Sequence, residues 1–173
     1  MDVRSAPFRL SPTMLRAVVF VLGLVAAIAG PGSAPAASYQ PADAFGTIDA
    51  TFSLADAARF GLKVRTGTGQ ETVIGYDAGA QQLYVDRTKS GVVDFSADFP
   101  GVQRAPLTAR DGKVHLRILV DWSSVEVFGG DGEAVITDQI FPGGDGNGIG
   151  LFAEGGAAQL DNLQLWRMDT YRK

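Results

Sequence analysis

Val114, Leu116, Ile118 and Val120 alternate with His115, Arg117, Leu119 and Asp121. An apolar residue at every second position makes one continuous apolar face only in an extended chain, because successive strand side chains point to opposite sides. The same period returns at Val125 and Val127 against Glu126 and Phe128, and at Leu163 and Leu165 against Asn162, Gln164 and Trp166. Further β-type runs are Phe45–Leu54, Phe60–Arg65, Glu71–Asp77, Leu83–Asp86, Ala134–Phe141 and Gly148–Ala153. Helical periodicity is hard to find after residue 45, although Asp56-Ala57-Ala58-Arg59 suits a short helical turn near Ala55–Arg59. Between the runs stand Thr66-Gly67-Thr68-Gly69, Asp77-Ala78-Gly79, Asp111-Gly112, Gly129-Gly130-Asp131-Gly132, Pro142 to Gly148 and Gly155-Gly156, which place Gly or Asp where a tight turn needs positive φ. Roughly nine short strands punctuated in this way predict an all-β chain, a two-sheet antiparallel β-sandwich over residues 45–169.

The N-terminal part has a different character. Ala17 to Gly30 is 14 residues without a charge, short of the roughly 20 that a spanning helix needs. Arg4, Arg9 and Arg16 precede it, and Ala34-Pro35-Ala36 follows with the small-x-small form of a cleavage site. A charged n-region, an apolar h-region and such an end describe a secretory signal over residues 1–36. Met14-Leu15-Arg16 would itself make a compact n-region, so either Met1 or Met14 serves as the start. A linker over 37–44 and a tail over 170–173 complete the expected division. The expected location is outside the cytoplasm, secreted or periplasmic, with membrane attachment only if the signal segment stays uncleaved.

Side-chain inventory removes several function classes. The chain has no Cys, so it has neither disulfides nor thiolate chemistry, and its single His excludes sites that need two imidazoles. A net charge of −4 lacks the basic excess of a nucleic-acid binder. No cofactor or metal is expected. Asp145-Gly146-Asn147-Gly148 has part of an oxygen-ligand calcium loop but not its repeating acids or closing Glu, so it reads as a Gly-rich turn. His115 has no Ser motif beside it and reads as a surface or packed imidazole.

The most distinctive run is Asp121-Trp122-Ser123-Ser124-Val125-Glu126-Val127-Phe128, a hairpin that would present Asp121, Trp122 and Glu126 together. Paired carboxylates suit glycosidase chemistry only with a substrate cleft and tuned pKa values. Turn carboxylates more simply accept turn N–H groups or pair with Arg. An aromatic ring beside short polar side chains suits sugar contact. Arg87, in the charged strand end and turn Asp86 to Gly91, offers a planar fork of donors, or else ends a solvated hairpin. The candidate ligand-binding set is therefore Trp122, Asp121, Ser123, Ser124, Glu126 and Arg87.

Five segments carry a resemblance. Arg59 to Arg65, Glu71 to Asp77, Leu83 to Gly91, Ser123 to Phe128 and Asp131 to Thr137 look, in this order, like the C-terminal module of glycoside hydrolase family 32, the family of levanases, inulinases and invertases. The resemblance covers roughly residues 43–168 and implies a concanavalin A-like jelly roll. It also implies that the family's catalytic residues lie elsewhere, in an N-terminal five-bladed propeller with Asn-Asp-Pro, Arg-Asp-Pro and Glu-Cys segments. None of these segments occurs here, so no catalytic residue is carried over. Trp122 stands where the family resemblance leads one to expect a basic residue.

Three functions follow as expectations. The leading one is a secreted non-catalytic module that recognises fructan or a related carbohydrate. The alternative is a structural module that docks on a family 32 catalytic propeller, or self-associates, or is the relic of a truncated β-fructosidase. It predicts an exposed apolar face. The least favoured is a fructan or sucrose hydrolase in its own right.

Overall fold

The computed structural model describes residues 26–28 and 46–168. Of the expected signal segment, only 26–28 fall among them, and the expected linker and tail lie outside the described residues. Among the described residues, eleven strands form two antiparallel sheets. The first sheet contains β1 (Ala26–Ile28), β11 (Ala158–Arg167), β2 (Gly46–Ser53), β7 (Lys113–Val120), β8 (Ser124–Gly129) and β9 (Ala134–Gln139), in that spatial order. The second runs β10 (Gly148–Glu154), β3 (Arg59–Gly67), β4 (Gln70–Asp77), β5 (Gln82–Lys89) and β6 (Val102–Pro106).

Alternation fixes which faces meet. Ile48, Ala50 and Phe52 of β2, with Leu116 and Ile118 of β7 and Val125 and Val127 of β8, turn inward from the first sheet. Phe60, Leu62 and Val64 of β3, Ile74 and Tyr76 of β4, and Leu83 and Val85 of β5 meet them from the second. The sheets touch through aromatic rings: Phe52 lies 5.2 Å from Phe60, and Phe60 lies 5.6 Å from Tyr76. Tyr76 keeps its hydroxyl satisfied in this interior by donating to the Leu107 carbonyl at 3.0 Å. Burial pushes its phenol pKa up.

One expectation is corrected. Ala55–Arg59 contains no helical turn; the Ala57 and Ala58 amides donate to Ala157 and Glu154 carbonyls, and Asp56 accepts from the Ala157 amide. Those cross-links spend the donors that a helical turn would use internally. β6 carries no period-two signal in the sequence. Its residues Val102–Pro106 are exposed or half-buried and end on Pro106, which an edge strand tolerates because one side of its ladder is unpaired.

The connections segregate by end. β5–β6, β7–β8 and β9–β10 join at the end where β2 begins and β11 finishes, since Gly46 pairs with both Val120 and Arg167. The parallel bridge between Gly91 and Phe141 ties the two sheets together there.

Candidate functional site: the turn end of the sandwich

The core changes chemistry toward this end. Arg65, Thr72, Ser90 and Asp138 are the buried polar or charged residues among those described. Arg65, Thr72 and Arg87 come from the second sheet; Asp138 of β9 and Asp121, just past β7, come from the first. Arg65 reaches inward through a break in the β3–β4 register, where its own φ is +53°. Burial lowers the pKa of its guanidinium, and the negative charge of Asp121 opposes that shift. Asp138 is 5% exposed, and burial raises its carboxyl pKa against the pull of Arg87.

Arg87 organises the layer. Its guanidinium lies 3.6 Å from Asp138 Oδ1, donates to the Gln139 carbonyl at 3.3 Å, and sits 4.3 Å from the Phe99 ring centroid. Phe99 packs in turn on Phe95 and Phe141, at 4.6 and 5.4 Å between centroids. The backbone of Arg87 closes the β5–β6 connection, because its carbonyl accepts from Ser90 N–H and its N–H donates to the Gly101 carbonyl. Sequence reasoning ended the strand at Asp86; β5 continues to Lys89, which places Arg87 inside the sheet rather than on a turn.

The β7–β8 turn lies at the same end. Asp121 donates its backbone N–H to the Ser124 carbonyl, and its carboxylate accepts from the Trp122 N–H at 2.7 Å. Ser123 offers its carbonyl to the Ile140 amide, and Ser124 stands opposite Gln139. Trp122 is 66% exposed. Glu126 lies on the outer face of the first sheet, between Leu119 and Thr137, while its neighbours Val125 and Val127 point inward. Asp121, Trp122, Ser123, Ser124 and Arg87 therefore share one end, linked through the Ser124–Gln139 rung, while Glu126 belongs to a sheet face. Asp121 acts as a turn cap facing a buried cation.

Sequence reasoning missed Asp138, Phe95, Phe99 and Phe141. Period two along Ala134, Ile136, Asp138 and Ile140 was the available signal, since it puts Asp138 on the same inward face as three apolar residues. Eight large hydrophobic side chains are exposed among the described residues, and Val92, Phe95, Val102, Trp122, Trp166 and Met168 lie at or toward this end.

Two other clusters are structural in form. Asp145 accepts from the Thr68 amide and from Gln70, whose Oε1 accepts from Gly143 N–H, so the Gly-rich loop is clamped to the β3–β4 turn. His115 sets Nε2 3.0 Å from Asp49 and Nδ1 3.2 Å from the Gly130 carbonyl. No group of three His, Cys, Asp or Glu suited to a metal occurs among the described residues. No described helix is long and apolar enough to cross a membrane.

Residues 29–167 match the family model for the glycosyl hydrolases family 32 C terminal region. A levanase of Bacillus subtilis (strain 168) is 46% identical over 129 residues, covering 73% of this chain and 19% of the levanase. A levanase of Bacillus sp. (strain L7) is 44% identical over 123 residues, covering 68% of this chain and 13% of the relative. In three dimensions, the crystal structure of exo-inulinase from Aspergillus awamori superposes with a TM-score of 0.79 at 31% identity, over 91% of this chain and 30% of that one. The chain thus spans less than a quarter of the two levanases it matches, and the matched part is their β-sandwich region. By sequence and by fold, this chain belongs to the C-terminal β-sandwich family of glycoside hydrolase family 32.

Proposed function

We propose that the chain is a non-catalytic accessory module that docks, through the end carrying Val92, Phe95 and Trp122, onto a glycoside hydrolase family 32 catalytic domain. One observation carries this reading. Six of the eight exposed large hydrophobic side chains among the described residues gather at the one end where β2 starts and β11 finishes. Exposed apolar groups cluster where a partner removes them from water. The role is carried by packing, and no catalytic group is assigned to the chain. Export fits the same reading, since relatives from Aspergillus are named extracellular exo-inulinases.

The test is to mix the full chain with the catalytic domain of a levanase expressed without its own sandwich, and to follow the mixture by sedimentation velocity. A complex that weakens at least about tenfold in a Phe95→Ser, Trp122→Ser double variant is expected, since central aromatic anchors dominate interfaces. Absence of a complex at the highest soluble concentration overturns the reading.

A second reading rests on Trp122. Its exposed indole, next to Ser123, suits stacking on a sugar ring, with fructan as the ligand that the levanase and inulinase relatives suggest. Arg87 and Asp121 are already engaged within the protein, which leaves few side chains to add hydrogen bonds. Calorimetric titration with levan, inulin and fructose separates the readings: heat abolished by Trp122→Ala supports sugar recognition, and no heat removes it.

A further inference from the structure

Asp138 and Arg87 form an ion pair inside the sandwich with incomplete hydrogen bonding. Asp138 Oδ2 and Arg87 Nε are buried without a hydrogen-bond partner, and the 3.6 Å separation from Oδ1 is too long for a hydrogen bond. A buried pair with such geometry recovers little of what its desolvation costs. Arg87 also holds the β5–β6 connection at three points: through its carbonyl to Ser90, through its N–H to Gly101, and through its guanidinium to Phe99. That connection carries Val92 and Phe95, both more than half exposed.

Resting on the docking reading above, we propose that Asp138 is a proton-operated latch for the docking end. Uptake of one solvent proton at Oδ2 neutralises Asp138, leaves the half-buried Arg87 without its counter-charge, and releases Arg87 together with the 90–101 connection. With Asp138 charged, Phe95 is held against Phe99 and Phe141 in its presented position.

The charges around the latch are few. From β5, Arg87 faces Asp138; from β8, Val125 stands opposite it; from β6, the inward-facing group nearby is the uncharged Gln103. Burial raises the Asp138 pKa, so the latch opens at a higher pH than an ordinary carboxylate would allow.

The test uses isotopically labelled full chain and NMR. The Asp138 side-chain carboxyl and the amides of Val92, Phe95 and Phe99 are followed from neutral to acid pH. Expected is one shared midpoint, above the ordinary carboxylate value of about 3.9, with the amides of Leu62 and Val85 unmoved. Asp138→Asn is expected to place the three loop amides at their acid positions at neutral pH and to remove their pH response. Loop amides that ignore the Asp138 titration overturn the latch, as does an unchanged response in Asp138→Asn. Should that variant not fold, the wild-type titration alone decides. Docking is measured separately at neutral pH, above the titration. Failure to bind there sinks the docking reading, and a flat loop response sinks the latch.

Discussion

Gly75 and Tyr84 face each other across β4 and β5, and the phenol ring lies so close over the glycine that a Cβ there would enter it. Arg104 covers the other side of the ring, 5.3 Å from its centroid. Tyr84 thus sits on the outer face of the second sheet yet is 7% exposed, and burial pushes its hydroxyl up to about 12. The glycine makes room for an aromatic side chain on the solvent face of the sheet.

Gly75→Ala is therefore expected to destabilise the fold by about 1–3 kcal/mol, the cost of forcing a packed group aside. In a Tyr84→Ala background, the same substitution should cost well under 1 kcal/mol, because contacting residues are not additive. Urea unfolding of the four proteins measures the coupling, and equal costs in both backgrounds would show that the ring does not set the requirement for glycine.

Phe60 bridges the two sheets between Phe52 and Tyr76 and is fully buried. Phe60→Ala should cost about 3–5 kcal/mol. Against a total stability of about 5–15 kcal/mol for a domain, that change leaves the chain marginal. A midpoint in chemical denaturation close to that of the wild type would mean that the inter-sheet contact is redundant.

Trp122 is expected to behave in the opposite way. Its indole is two-thirds exposed, so Trp122→Ala should leave stability within about 0.5 kcal/mol of wild type. Any effect should appear in binding to the catalytic domain or to fructan. Thermal unfolding run beside sedimentation or calorimetry separates the two, and a large loss of Tm would move Trp122 from the surface role to a structural one.

Alternation made the fold legible wherever one strand face is buried and the other wet. Val114 to Val120 is such a strand, and its inward residues are those the pattern selects. β6 was illegible because an edge strand with Gln103 and Arg104 in its middle carries no continuous apolar face. The site was legible in part. Gly-rich and polar turns mark the Trp122 hairpin, but nothing local joins Arg87 to Asp138, which lie 51 positions apart and meet only when the two sheets stack. Asp138 looks like an ordinary polar interruption of a strand until its neighbours on both sheets are known. The aromatic trio Phe95, Phe99 and Phe141 is hidden for the same reason, being assembled from the β5–β6 connection within the second sheet and the β9–β10 connection between the sheets.

Acid should weaken the fold through three carboxylates whose pKa values are lowered. Asp77 is lowered chiefly by the Ala80 amide, Asp145 chiefly by the Thr68 amide, and Asp161 chiefly by Lys113, with Ser53 adding a second bond. A carboxyl with a depressed folded-state pKa contributes stability that is fully present above its unfolded value, about 3.9. That contribution is lost as pH falls from there through the folded values. Asp138 acts with the opposite sign, since its raised pKa means that protonation on folding removes a penalty present at neutral pH. The denaturation midpoint is therefore expected to change little, or to rise slightly, as pH first drops through the Asp138 titration, and then to fall below about pH 4, where the other three carboxyls begin to protonate. Asp161→Asn, which removes the titrating group and the negative charge that faces Lys113, should flatten the acid limb of that curve. A midpoint that declines steadily from neutral pH, with the same slope in Asp161→Asn, would place the acid sensitivity elsewhere in the molecule.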